Sequence, residues 1–119
     1  ILQKLKEKNI SLICLAGYMK ILKKNFIRKF SGQIINIHPS LLPKYKGLNT
    51  FNRVLRFKEK ITGCTIHHVS GEIDSGKKIL QKKVFINLND NEKSLKTKVQ
   101  KVEYKAYAEA VVKLFRTSL

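Results

Sequence analysis

The sequence predicts an α/β domain of three layers, with helices packed on a mainly parallel sheet. Three observations lead there. Residues 11–16, Ser-Leu-Ile-Cys-Leu-Ala, form a short continuous apolar run, the pattern of a strand buried on both faces. A second apolar segment at 33–38 follows after one short helical segment, and strand, helix, strand in that order implies a right-handed crossover between parallel neighbours. Near the carboxyl end Leu95, Val99, Val102, Ala106, Ala110 and Leu114 recur at the helical period and mark one buried stripe.

The elements follow in order. Residues 1–9 read as the tail of an amphipathic helix, with Leu2 and Leu5 set against Lys4, Lys6, Glu7 and Lys8. Gly17 ends the first strand, Tyr18 to Leu22 form a short apolar loop, and Asn25 to Phe30 form a short helix stopped by Ser31-Gly32. The second strand carries Ile34, Ile35 and Ile37, turns polar at Asn36 and His38, and breaks at Pro39. Two prolines and a glycine between Pro39 and Gly47 forbid a regular element, because proline lacks an amide donor and fixes φ. Thr50 caps a helix running to about residue 58. A third strand spans 63–70, with Cys64, Ile66 and His68 on one face and Thr65, His67 and Val69 on the other. The loop that follows places Asp74 between Gly71 and Gly76. A fourth strand at 79–86 is linked closely enough to pair antiparallel with the third. Asn89-Asp90-Asn91 leads into the longest helix, from Glu92 to about Arg116.

A chain of 119 residues holds one small domain, and 43% hydrophobic content fits a globular fold rather than disorder. No apolar run approaches the roughly 20 residues of a membrane span, and no signal-peptide pattern is present. Cys14 and Cys64 lie in strand-like apolar text without metal-type spacing, which fits buried, reduced thiols in a cytoplasmic protein. The net charge of +17 suits polyanions, anionic small substrates or plain solvated lysine faces. Its lysines outnumber its arginines and are scattered, whereas nucleic-acid readers favour arginine forks and interleaved aromatics. Nucleic acid is therefore the weaker expectation. No oligomeric state follows from the sequence.

The chemistry centres on the carboxyl end of the second strand, where ligands bind in open α/β sheets. Asn36 and His38 are two apart and point the same way. Asp74 follows the next strand and can reach the same rim. An amide, an imidazole and a carboxylate together suit acyl transfer: the amide holds a carbonyl oxygen, the imidazole donates to it, and the carboxylate orients the imidazole. Plain alternatives stand beside this: a histidine before proline can be a turn residue, and an aspartate between glycines an Asx-turn former. His67 and His68 read as packed strand residues rather than metal ligands, since no matching cysteine or carboxylate pattern surrounds them. Tyr104 and Tyr107 read as packing for the last helix.

The segment Asn36-Ile37-His38-Pro39-Ser40-Leu41-Leu42-Pro43, with Lys44-Tyr45-Lys46-Gly47-Leu48-Asn49-Thr50 after it, closely resembles the signature of the phosphoribosylglycinamide formyltransferase family. Leu15-Ala16-Gly17-Tyr18-Met19-Lys20-Ile21-Leu22 resembles that family's folate-binding loop. Gly63 to Val69 and Glu72-Ile73-Asp74-Ser75-Gly76 resemble its later strand and aspartate loop. The resemblance implies a Rossmann-like formyltransferase fold, truncated at the amino end, so that residues 1–119 form one catalytic domain lacking the phosphate-loop part. It implies formyl transfer from 10-formyltetrahydrofolate to the amine of glycinamide ribonucleotide in purine synthesis, without a metal. Asn36 would hold the formyl oxygen, His38 would act as general acid, and Asp74 would raise the imidazole's pKa and move protons. Met19, Lys20, Ile21 and Leu22, with Ser70, Gly71, Glu72, Ile73 and Asp74, would cradle the pterin. Gly47, Gln100 and Glu103 would contact the ribonucleotide.

Lys20 stands where the family often has arginine, and Asn49 and Phe51 where many members have histidines. Without the phosphate loop the ribonucleotide phosphate would lose an amide cradle, so this chain alone is expected to bind it poorly. Related readings are methionyl-tRNA formyltransferase, which shares a leucine-leucine-proline loop, and formyltetrahydrofolate deformylase, which lets water attack. A basic nucleic-acid-binding domain is the non-enzymatic rival, supported by charge alone.

Overall fold

The structure, a computed structural model, describes residues 1–17, 22–71 and 74–118. The elements are α1 (Leu2–Glu7), β1 (Leu12–Leu15), α2 (Lys24–Lys29), β2 (Gln33–His38), α3 (Thr50–Arg56), β3 (Ile61–His68), β4 (Lys78–Phe85) and α4 (Glu92–Ser118). The four strands form one sheet in the order β1-β2-β3-β4. β1 and β2 are parallel across the α2 crossover, with Leu15 opposite Asn36. β2 pairs antiparallel with β3, and β3 with β4. The sheet is therefore mixed, its parallel part confined to β1–β2: residues 39–60, with the proline loop and α3, return the chain so that β3 runs antiparallel to β2, and the shorter link at 69–77 pairs β4 antiparallel with β3.

Alternation along β2 and β3 divides the sheet into two faces. Ile35, Ile37, Cys64 and Ile66 point to the core, where they meet Leu95, Val99, Ala106 and Ala110 of α4 and Val54 of α3. The four α4 residues are fully buried, as the helical spacing predicts, while Val102 and Leu114 pack at the margin. Asn91 and Ser94 cap α4 reciprocally: the Ser94 amide donates to Asn91 Oδ1 at 2.8 Å and the Asn91 amide to Ser94 Oγ at 2.9 Å. Tyr107 ties the helix to the strand ends, its hydroxyl 2.6 Å from the Leu15 carbonyl oxygen.

Three expectations need correction. β1 is half-exposed, not buried on both faces, because it has a paired neighbour on one side only among the described residues. For the same reason Cys14 is exposed, while Cys64 is buried; both are free thiols. β3 begins two residues earlier than expected, since Ile61 and Thr62 pair with Phe85 and Val84. Among the described residues no helix is long and apolar enough to cross a membrane.

The second face of the sheet carries Asn36, His38, Thr65 and His67. Over it lies the loop from Pro39 to Gly47, which contains a cis Leu42-Pro43 bond. This loop is anchored by Thr65, whose hydroxyl donates to the Ser40 carbonyl at 2.7 Å and accepts from the Leu42 amide at 3.0 Å. Gln81 Nε2 donates to Thr65 Oγ1 and to the Leu42 carbonyl, both at 2.9 Å. Ser40 Oγ donates to the Lys44 carbonyl at 2.6 Å. A segment that cannot form a helix or strand thus has its backbone polar groups paired with side chains.

Candidate active site

β2 delivers Asn36 and His38 to the rim, and the loop after β3 returns Asp74 to the same place. His38 Nδ1 lies 3.3 Å from Asp74 Oδ2. Nε2 of the same ring lies 2.7 Å from the Tyr45 carbonyl oxygen, which can only accept, so Nε2 carries a proton. The Gly47 amide donates to Asp74 Oδ2 at 2.8 Å, locking the two loops together. Three non-glycine residues around this cluster, Tyr45, Asn49 and Asp74, adopt left-handed backbone angles. Such angles cost about 1–2 kcal/mol per residue and gather where a loop must aim a specific group. At Tyr45 that group is the carbonyl facing His38.

His38 is buried, and burial pushes its pKa below 6.5; the neighbouring His67 and Arg53 push the same way. The Tyr45 carbonyl and Asp74 oppose this without reversing it. Asp74 thus acts on the imidazole in the direction the resemblance implied, but burial outweighs it, and the protonated ring is a stronger acid than free histidine. Geometry adds a second condition. Both ring nitrogens have partners, so His38 reaches a bound oxygen only by exchanging the Tyr45 carbonyl or Asp74 for it.

His67, read from the sequence as packing, belongs to the same cluster. It stands directly opposite Asn36 in the β2–β3 register and is 3% exposed. Its Nε2 lies 3.7 Å from Asp74 Oδ1. Asn36 Oδ1 and His67 Nε2 are both buried without a hydrogen-bond partner. Neither the Tyr45 carbonyl nor His67 had a signal in the linear pattern beyond the strand alternation that puts His67 on the face of Thr65.

These groups open into a cleft of about 1010 Å³. Leu15, Ala16, Gly17 and Leu22 line one side, with Val69 and Ser70. Gly47, Gln100 and Glu103 also line it, so all three expected ribonucleotide contacts lie on the same cleft as the catalytic candidates. Burial raises the Glu103 pKa, partly offset by Lys96. Gly71 stands against the Lys24 side chain, which a β-carbon there would approach to 2.7 Å. Met19, Lys20, Ile21, Glu72 and Ile73 lie outside the described residues. Tyr104, expected to pack α4, is instead 76% exposed at the cleft. Among the described residues no group of histidine, cysteine or carboxylate side chains could hold a metal ion.

Known proteins share this sequence and fold. The family model described as formyl transferase matches residues 1–111. The phosphoribosylglycinamide formyltransferase of Haemophilus influenzae is 45% identical over 106 residues, covering 89% of this chain and 50% of that protein. The chicken trifunctional purine biosynthetic protein adenosine-3 is 43% identical over 107 residues, covering 90% of this chain and 11% of that one. Among solved structures, the phosphoribosylglycinamide formyltransferase of Bacillus halodurans superposes with a TM-score of 0.92 at 40% identity, over 99% of this chain and 61% of its own. The chain thus spans about half the length of the Haemophilus influenzae enzyme.

Proposed function

Since the chain belongs to the formyl transferase family, we propose that it carries the catalytic rim of an enzyme that moves a formyl group from 10-formyltetrahydrofolate to the amine of glycinamide ribonucleotide. The observation that carries this reading is the meeting of Asn36, His38 and Asp74 at one cleft, with His38 Nδ1 3.3 Å from Asp74 Oδ2. The relatives named phosphoribosylglycinamide formyltransferase support the choice of acceptor.

The fit to a folate is supported by the apolar wall of Leu15, Ala16 and Leu22 beside an unpartnered buried amide oxygen on Asn36. When bound, the folate supplies the one-carbon unit. The chain's own residues do the rest. Asn36 orients the formyl group across the rim. His38, with Asp74 behind it, donates to the oxygen on which negative charge develops as the amine attacks. Gly47 keeps Asp74 aimed at the ring through its amide. Gln100 and Glu103, on one face of α4, present an amide and a carboxylate to the hydroxyls of the ribonucleotide. Leu22, Ser70 and Gly71 flank the pterin side, with Met19, Lys20, Ile21, Glu72 and Ile73 completing it in this reading.

The test is a formyl-transfer assay with three acceptors in parallel: glycinamide ribonucleotide, methionyl-tRNA and water. Product with the ribonucleotide alone is expected. Transfer to methionyl-tRNA, or release of formate without an acceptor, would replace this reading with one of its relatives.

A further inference from the structure

The mechanism above uses an oxygen-facing side of the rim and leaves the attacking amine's surplus proton without a destination. The second side of the same cluster is made of acceptors. The His67 Nδ1 lies 3.0 Å from the His68 carbonyl oxygen, which can only accept, so Nδ1 carries a proton, and the tautomer with that single ring proton presents a lone pair at Nε2. That lone pair is buried and has no partner, as has Asn36 Oδ1 directly across the strand pair. Asp74 Oδ1 lies 3.7 Å from Nε2, too far for a hydrogen bond but close enough to stabilise a positive charge there. Leaving such acceptors buried and unsatisfied costs about 1–3 kcal/mol each, so a site that keeps two on facing residues of one strand pair is built for a donor. The pairing of β3 with β4 also slips between Ile66 and His67, and a slip of this kind re-aims a strand residue next to a site.

We propose that His67 is the proton acceptor for the attacking amine, with Asn36 Oδ1 as its co-acceptor and Asp74 Oδ1 as the charge that stabilises the imidazolium. This rests on the formyl-transfer reading. The amine nitrogen's lone pair forms the new C–N bond, and the carbonyl π pair moves onto the oxygen faced by His38. The nitrogen, now carrying one proton too many, gives it to His67 Nε2. When the oxygen lone pair restores the C=O bond, the bond from the formyl carbon to the folate nitrogen breaks. That nitrogen keeps the bond's electron pair and takes up the proton that His67 received, which returns the imidazole to its starting form. His67 thus serves the nucleophile while His38 serves the electrophile, and Asp74 supports both rings through different oxygens.

Two experiments on this chain test the assignment. Long-range ¹⁵N–¹H NMR of ¹⁵N-histidine-labelled protein at neutral pH is expected to show His67 protonated on Nδ1 and bare on Nε2; an Nε2–H tautomer overturns the proposal without reference to turnover. In the assay, His67→Ala is expected to lower kcat by about 10²-fold or more at little changed KM. Added imidazoles should restore part of the rate, more so the more basic the imidazole, which a merely packing role would not produce. His67→Asn, which keeps a polar side chain in the strand, should show the same loss and guards against misfolding of the alanine variant. Wild-type protein that makes no formylated ribonucleotide even at saturating ribonucleotide, where the weak binding expected of this chain no longer limits, overturns the functional reading and this inference with it. Active wild type with unchanged His67→Ala turnover, or a loss that no imidazole restores, overturns this inference alone.

Discussion

His38 is held at both nitrogens, and that decides what its removal should do. Its ring joins the Tyr45 loop to Asp74, and Asp74 in turn holds the Gly47 amide. His38→Ala and Asp74→Ala are each expected to lower the formyl-transfer rate by at least about a hundredfold, the usual scale for a proton donor and for a charge that supports it. Near-wild-type turnover by either variant would strip that residue of its role. The same ring sets a pH dependence of stability. Because burial lowers its pKa from 6.5, the unfolded chain binds more protons than the folded one below that pH. Its contribution is therefore complete above about pH 6.5 and is lost as the pH falls through the lower folded value. Other groups titrate nearby, Glu103 in the opposite sense, so the difference between proteins is the clean readout. Urea midpoints at pH 7.5 and 5.5 should fall more for wild type than for His38→Gln; equal falls would mean that burial does not depress this histidine.

At the scale of elements, the rim depends on one threonine. Thr65 in β3 is fully buried and satisfies the Ser40 carbonyl, the Leu42 amide and the Gln81 side chain at once. Thr65→Val keeps the shape and removes the hydroxyl, stranding buried backbone groups of the His38 loop. It should cost about 2–3 kcal/mol in urea unfolding, with Thr65→Ser costing less because the network survives. A valine variant as stable as wild type would show that water replaces the hydroxyl at no cost. This network was not legible in the sequence, where Thr65 is only an alternating strand position. Elements whose pattern is local were legible: β2 runs from Gln33 to His38 as its apolar run and Pro39 require, and α4 buries the stripe its period marks. Where bounds or burial moved, a partner strand decided. β4 extended β3 back to Ile61, and β1, with one paired neighbour among the described residues, is half-exposed. The site divides in the same way. Spacing put Asn36 and His38 on one face, the loop after the next strand offered Asp74 to the same rim, and the family resemblance supplied their roles. The Tyr45 carbonyl and His67 enter only through backbone angles and cross-strand register, which no residue pattern encodes.

For the whole molecule the dominant fact is charge. A net +17 on 119 residues works against compactness through self-repulsion. Its local compensation is slight. Lys82–Glu109 and Lys44–Glu59 are exposed or half-exposed pairs, of the kind that contribute about 0–1 kcal/mol. Lys98–Asp90 at 2.6 Å is the tightest and holds the Asp90 carboxyl down to about 2. Salt screens both the few attractions and the many repulsions, and with so large an excess of one sign the repulsions dominate. Raising sodium chloride from about 10 mM to about 200 mM shortens the screening length from about 30 Å to under 10 Å. That reaches the spacing between scattered surface lysines but not the buried contacts of the rim. The thermal midpoint should therefore rise with salt, while the distance-dependent coupling of His38 to Asp74 stays nearly constant. Calorimetry across that range checks the first, and the pH at which the His38 imidazole titrates by NMR checks the second. A midpoint that falls with salt would mean that ion pairs, and not the sheet and its α4 core, carry this fold.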